Sequence, residues 1–231
     1  MGDFLMRKFL EFPSIFHTLT FITSKQYTRM KILVFDTETT WFINKKETDL
    51  SKQPYIVQFA WIIGELNEKG FTPEKEIDIM INPGSPIPYG ASRIHNIYDI
   101  DVKDSPKIDE KLEEIVGYIN EVDVIIGHNI EYDESMIKLE LRRQALLHMY
   151  KPKSVLCTMK STVDFCAMKW KWERFKYPKL WELHKKLFWE YFLGAHDALT
   201  DVKATLRCFV ELEKKWIMKM EKTEEKVMSL F

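Results

Sequence analysis

The chain has 231 residues, of which 45% are hydrophobic and 30% charged, and a formal net charge of −1. This is the balance of an ordinary globular protein large enough to bury a substantial core, and it excludes a globally basic nucleic-acid coat while leaving room for a local basic groove. No apolar run reaches the ~18 residues that a bilayer-spanning helix needs, so no membrane association is expected. Three scattered cysteines, Cys157, Cys166 and Cys208, lack metal-site or disulfide spacing and fit a reducing, cytoplasmic compartment.

Residues 1–29 differ from the rest. Arg7, Lys8, Lys25 and Arg29 face only Asp3 and Glu11, among many Ser, Thr and Phe. A targeting peptide is one reading; an extension ahead of a second start at Met30, contributing little to the fold, is the preferred one. From there the pattern is clear. Lys31-Ile32-Leu33-Val34-Phe35 is short, bulky and β-branched and predicts a buried strand over 31–36. Residues 55–63 predict a second strand. Lys69-Gly70 marks a turn, 77–81 alternates as a third strand, and the Pro- and Gly-rich 82–90 predicts a loop. Ile108, Leu112, Ile115, Val116 and Ile119 have helical spacing. Val122 to Gly127 reads as an apolar fourth strand, 131–147 as a helix, 155–156 as a short last strand, 178–188 as a helix and 199–212 as one face of a long final helix. Hairpin strands followed by alternating helices and strands give an α/β layer fold.

Chemistry enters at Asp36-Thr37-Glu38, directly after the first strand. Strand side chains alternate, so Asp36 and Glu38 share a side. At ~4 Å their repulsion costs about 4 kcal/mol at an effective dielectric near 20. A hard divalent cation, which prefers carboxylate oxygen, removes that cost; two solvated loop acids are the plainer alternative. A second acidic signal, Gly127-His128-Asn129-Ile130-Glu131-Tyr132-Asp133, lies where a strand hands over to a helix, a usual place for site residues in α/β sheets. The third is His196-Asp197-Ala198-Leu199-Thr200-Asp201. On one continuous helix His196 and Asp201 would stand about 140° apart, so they converge only if the helix begins after His196, as Gly194-Ala195 allow. A histidine there suits proton abstraction from water near neutral pH.

Taken together and in order, these motifs resemble the DEDDh family of 3′→5′ exonucleases, typified by the epsilon proofreading subunit of bacterial DNA polymerase III. The resemblance covers about residues 30–216 and includes Pro86-Ile87-Pro88 with Ile94-His95-Asn96-Ile97, similar to the family's substrate loop. It implies a ribonuclease-H-like fold, a mixed five-stranded sheet flanked by helices, and a division into an extension (1–29), an exonuclease domain (30–217) and a charged tail (218–231). It also implies two Mg²⁺ or Mn²⁺ ions held by Asp36, Glu38, Asp133 and Asp201, with His196 deprotonating the attacking water. His95 would contact the terminal nucleotide, and Thr37 and Thr39 would line its pocket. The chain departs from the family where Gly-Leu usually follows the first motif: Trp41-Phe42 and a charged insertion, Asn44 to Lys52, stand there. Asn96 replaces a usual glycine.

The expected activity is metal-dependent 3′→5′ hydrolysis of single-stranded DNA or mismatched 3′ ends, in proofreading or repair. Trimming of RNA would use the same site, and a non-catalytic binding module of this fold is the alternative from another class. Two further segments bear on partners. Lys169 to Lys186 interleaves seven Lys/Arg with five aromatics against two Glu, a mixture suited to single-stranded nucleic acid, although Leu180, Leu183 and Leu187 also have core spacing. Val227-Met228-Ser229-Leu230-Phe231 is similar to the short peptide by which bacterial replication proteins dock on the sliding clamp, although that peptide usually begins with Gln, and it makes a sliding clamp or a DNA polymerase the expected partner; a frayed terminus is the plainer reading.

Overall fold

The computed structural model describes residues 29–169 and 174–218. The 1–28 part of the extension, residues 170–173 and the tail from 219, with Val227–Phe231, lie outside the described residues. Five strands form one mixed sheet: β1 (Met30–Thr39), β2 (Ile56–Asn67), β3 (Gly70–Met80), β4 (Val124–Gly127) and β5 (Val155–Cys157), in the order β3-β2-β1-β4-β5. β1–β2 and β2–β3 are antiparallel hairpins, whereas β4 and β5 run parallel to β1. The helices are α1 (Tyr89–His95), α2 (Asp99–Val102), α3 (Leu112–Glu121), α4 (Ile130–Arg143), α5 (Thr158–Ser161), α6 (Val163–Cys166), α7 (Leu180–Phe188) and α8 (Ala198–Lys214).

Strand alternation sorts the core onto two faces. Leu33, Phe35, Phe59, Trp61 and Ile125 pack against α3 and α4. Ile32, Val34, Ala60, Ile62, Val124 and Ile126 pack against α7 and α8. The same alternation, continued toward the end of β1, aims Asp36 and Glu38 at α8 and Thr37 at α4. Between β4 and α4 the chain turns with Asn129 in the left-handed region (φ 72°). A Cβ added at Gly127 would sit 3.0 Å from that of Ile130, so glycine lets α4 start close against the strand that precedes it.

The element order follows the sequence expectation, but several boundaries move. β1 runs on through Thr39, so the acids of the first motif lie inside a strand. β3 begins at Gly70, well before the expected 77: it is the sheet edge, which tolerates the exposed Thr72, Pro73 and Glu74, and the ladder to β2 holds them extended. The segment expected as loop and its sequel contain α1 and α2. The helix expected over 131–147 stops at Arg143, where Ala145 turns left-handed (φ 58°) and Leu146 N–H closes on Leu141 O at 2.7 Å. That closure normally uses glycine, and alanine gives no stop signal. No helix among the described residues is long and apolar enough to cross a membrane.

Candidate active site

The four acids singled out in the sequence meet at the α8-facing end of β1. Asp201 stands in the first turn of α8, and this helix begins after His196, as convergence requires. Gly194 (φ 80°) and His196 (φ 69°) are both left-handed, and Asp197 caps α8 by accepting Thr200 N–H at 2.9 Å. The turn folds His196 back so that its N–H donates to Asp201 Oδ2 at 3.1 Å. Glu38, His196 and Asp201 each offer one ligand atom, all within 4.8 Å of one another. Asp133, buried in the first turn of α4, reaches the same strand: its Oδ1 accepts from Thr37 N–H at 3.0 Å and Thr37 Oγ1 at 2.7 Å.

Crowding shows in the titration of every acid. Burial, then repulsion from Asp133, Asp201 and Glu38, holds the Asp36 carboxyl well above the usual range. Burial and the charges of Asp201 and Asp133 push Glu38 up to about 8. Burial lifts Asp133 to about 7 against the pull of its Thr37 hydrogen bonds, and Asp201 to about 6. Asp201 Oδ1 is buried with no hydrogen-bond partner among the described residues. Mostly oxygen donors with one imidazole at the edge, mutual repulsion and a buried oxygen without a partner among the described residues are what a divalent cation at this place would satisfy.

The expected substrate contacts divide. Thr37 is buried and its hydroxyl is committed to Asp133. Thr39 Oγ1 lies 2.8 Å from the Tyr132 hydroxyl and donates to Trp41 O at 3.0 Å. Both therefore act within the site's framework in this structure. His95 is buried, its Nδ1 accepts Ile97 N–H at 3.1 Å, and its Nε2 has no partner among the described residues. Burial, and then the nearby His196, hold its titration below the ordinary histidine value. Trp41, half-exposed where the family usually has glycine, packs on the start of α1: a Cβ on Gly90 would lie 3.0 Å from its ring. The insertion that follows is fastened to α4, with Arg143 donating to the carbonyls of Leu50, Gln53 and Pro54. Between insertion and α4 lies a cavity of about 870 Å³ lined by Phe42, Lys45, Tyr132, Lys138 and Arg142, among others, and by none of the four acids.

Two residues escaped the sequence reading. Gln58, wholly buried and paired across the ladder with Glu38, donates to Asp78 Oδ1 at 2.9 Å and Asp197 Oδ2 at 3.1 Å, and accepts Ala198 N–H at 3.1 Å. It thereby ties β2 to the start of α8. A lone amide inside the apolar run 56–63, on the face of Glu38, was its signal. His128, kept neutral by burial with its pKa lowered to about 4, lies 3.0 Å from both Thr158 Oγ1 and Pro178 O, joining the end of β4 to the segment that leads into α7.

The model of the RNase_T family, an exonuclease family, matches residues 33–209. No curated protein sequence matches significantly. Among solved structures, exonuclease X in complex with 5′-overhanging duplex DNA is 20% identical, with 83% of this chain and 96% of that chain covered and a TM-score of 0.53. Exonuclease I of E. coli bound to single-stranded DNA is 16% identical with a TM-score of 0.61; 81% of this chain and only 41% of that chain are covered. A 3′-exonuclease that recognises the 3′ end of the histone mRNA stem-loop is 15% identical, with 80% and 82% covered and a TM-score of 0.61. At these identities the structural likenesses show a shared fold.

Two measurements test the site. Because the folded chain keeps protons on these acids that the unfolded chain releases near pH 4, the metal-free protein should lose stability as pH rises from about 4 to 8. Its Tm should be lower at pH 8 than at pH 6, and Mn²⁺ should raise it more at pH 8; a Tm indifferent to both would show that the acids share no field. Gln58→Leu should leave KM nearly unchanged and lower kcat about tenfold or more, at a stability cost of about 1–3 kcal/mol. Unaltered turnover would mean that α8 is positioned without this amide.

Proposed function

The chain belongs to the RNase_T exonuclease family, and from that premise we propose that it is a divalent-metal-dependent 3′→5′ exonuclease acting on single-stranded DNA ends, its catalytic unit lying within residues 30–217. The observation that carries this reading is the convergence of four crowded carboxylates and an exposed imidazole at the end of β1. Asp36, Glu38, Asp133 and Asp201 would hold the cations, Mg²⁺ or Mn²⁺, through carboxylate oxygens. Bound there, the cations supply charge neutralisation and Lewis acidity for phosphodiester hydrolysis.

The chain's own residues do the rest. Thr37 fixes the rotamer of Asp133, and Gln58 fixes the helix that carries Asp201. His196, on the exposed lead-in to α8, takes a proton from the attacking water. The water oxygen bonds to phosphorus as the bond from phosphorus to the 3′ oxygen of the preceding nucleotide breaks, freeing a nucleoside 5′-monophosphate. His95, beside the Thr39 backbone and within the field of His196, is the group left to meet the terminal nucleotide. Three free thiols fit action in the cytoplasm. RNA is the second substrate reading, favoured by the likeness in fold to the histone mRNA 3′-exonuclease. A replication partner docked through Val227–Phe231 rests on residues outside the described ones and adds nothing to this geometry.

Labelled DNA and RNA oligomers, incubated with Mg²⁺ or with EDTA, test the proposal. Mononucleotides should leave the 3′ end of DNA faster than that of RNA, EDTA should stop release, and Asp36→Asn should reduce it to background while raising the metal-free Tm at pH 8, since a buried carboxyl that must take up a proton on folding is gone. Hydrolysis unaffected by EDTA or by Asp36→Asn would overturn the mechanism. Faster RNA trimming would transfer the substrate assignment to RNA.

A further inference from the structure

The segment that precedes His196 carries an exposed aromatic and cationic surface that the hydrolytic site does not use. In α7, Leu183, His184 and Leu187 are buried against the core, while Trp181, Lys185 and Lys186 face outward. After the left-handed Trp189 the chain doubles back, and Tyr191 returns to lie against Trp181, with ring centroids 5.8 Å apart. Lys185 Nζ lies 4.3 Å above the Tyr191 ring and bonds its hydroxyl. Tyr177 is 57% exposed, Tyr191 60% and Leu193 91%, although apolar groups of this size gain by burial.

Both ends of this segment are tied to the catalytic edge. Pro178 O sits 3.0 Å from His128 at the end of β4, and Trp181 follows three residues later. Gly194 packs over Thr200 in the first turn of α8, and Leu193 precedes His196 by three residues, a reach of at most ~11 Å. The return segment is anchored at Glu190: its Oε1 accepts from Arg207 at 2.5 Å, and buried His184 lies 3.1 Å from Glu190 O and 3.2 Å from Arg207. The acids here are spent, Glu182 on Lys176 and Glu190 on Arg207. Lys185 and Lys186 have no ion pair among the described residues.

We infer that Trp181, Tyr191 and Lys185, flanked by Tyr177 and Leu193, form a stacking platform that grips the single strand upstream of the scissile bond. The chemistry is that of sequence-tolerant single-strand binding: rings stack on bases and ammonium groups track phosphate. A rigid duplex cannot splay its bases onto such a surface. The inference rests on the proposed exonuclease reading for the direction of the strand, and its test is read by binding alone, so the two fail separately.

Fluorescence anisotropy of labelled oligomers in EDTA, on the full chain, is the experiment. Trp181→Ala with Tyr191→Ala should weaken a single-stranded 12-mer about tenfold or more and a trimer less than twofold, while the ring-preserving pair Trp181→Phe and Tyr191→Phe stays within about threefold of the parent chain. Lys185→Glu should weaken the 12-mer and flatten its salt dependence. A dT 12-mer and a U 12-mer report whether the platform favours DNA or RNA, and a blunt duplex should bind worst. Unchanged 12-mer affinity in the alanine pair overturns the inference. If the same pair instead abolishes a dimer seen by sedimentation while oligomer affinity holds, the surface belongs to a second copy of the chain and the inference is again overturned.

Discussion

The burial of Asp36, Glu38, Asp133 and Asp201 side by side, with the repulsion that it strengthens, is the constraint around which this molecule is organised. Folding gathers side chains that gain nothing from one another, and every one of them holds its proton above the ordinary carboxylate range. Such an arrangement persists only because the surrounding scaffold over-determines it. The apolar rows of β1 are locked between α3 and α4 on one face and α7 and α8 on the other. Thr37 then pins Asp133, and Gln58 with Asp197 pins the start of α8. The stability of the sheet is thus spent on holding an unfavourable cluster that a cation makes favourable.

Much of this was legible in the chain because local signals and the final packing agree. The apolar run 31–35 and the acids on alternate positions after it require a buried strand with a polar end, and β1 is that strand. The convergence of His196 with Asp201 could be argued in advance because Gly194 permits a left-handed lead-in; the structure places one there, though His196 itself also adopts it. Other features left no local trace. The first part of β3, residues 70–76, is held by its ladder and not by its composition, and the stop of α4 is made by an alanine in a conformation glycine prefers.

The departures from the family pattern turn out to be built into the framework. Trp41 fills the space over Gly90, its carbonyl is gripped by Tyr132 and Thr39, and the insertion behind it is fastened by Arg143. The departure from the family pattern is therefore fixed to the end of β1 and to α4. α7 and the return from it carry an exposed cationic and aromatic pair, Lys185 and Tyr191, in the segment that leads to His196.

The central claim is most directly measured by Mn²⁺ anomalous diffraction from crystals of the full chain. The account predicts anomalous peaks within bonding distance of Asp36 and at least two of Glu38, Asp133 and Asp201, lost in Asp36→Asn crystals. Well-ordered carboxylates with no peak among them, or Mn²⁺ bound at another place, would contradict it.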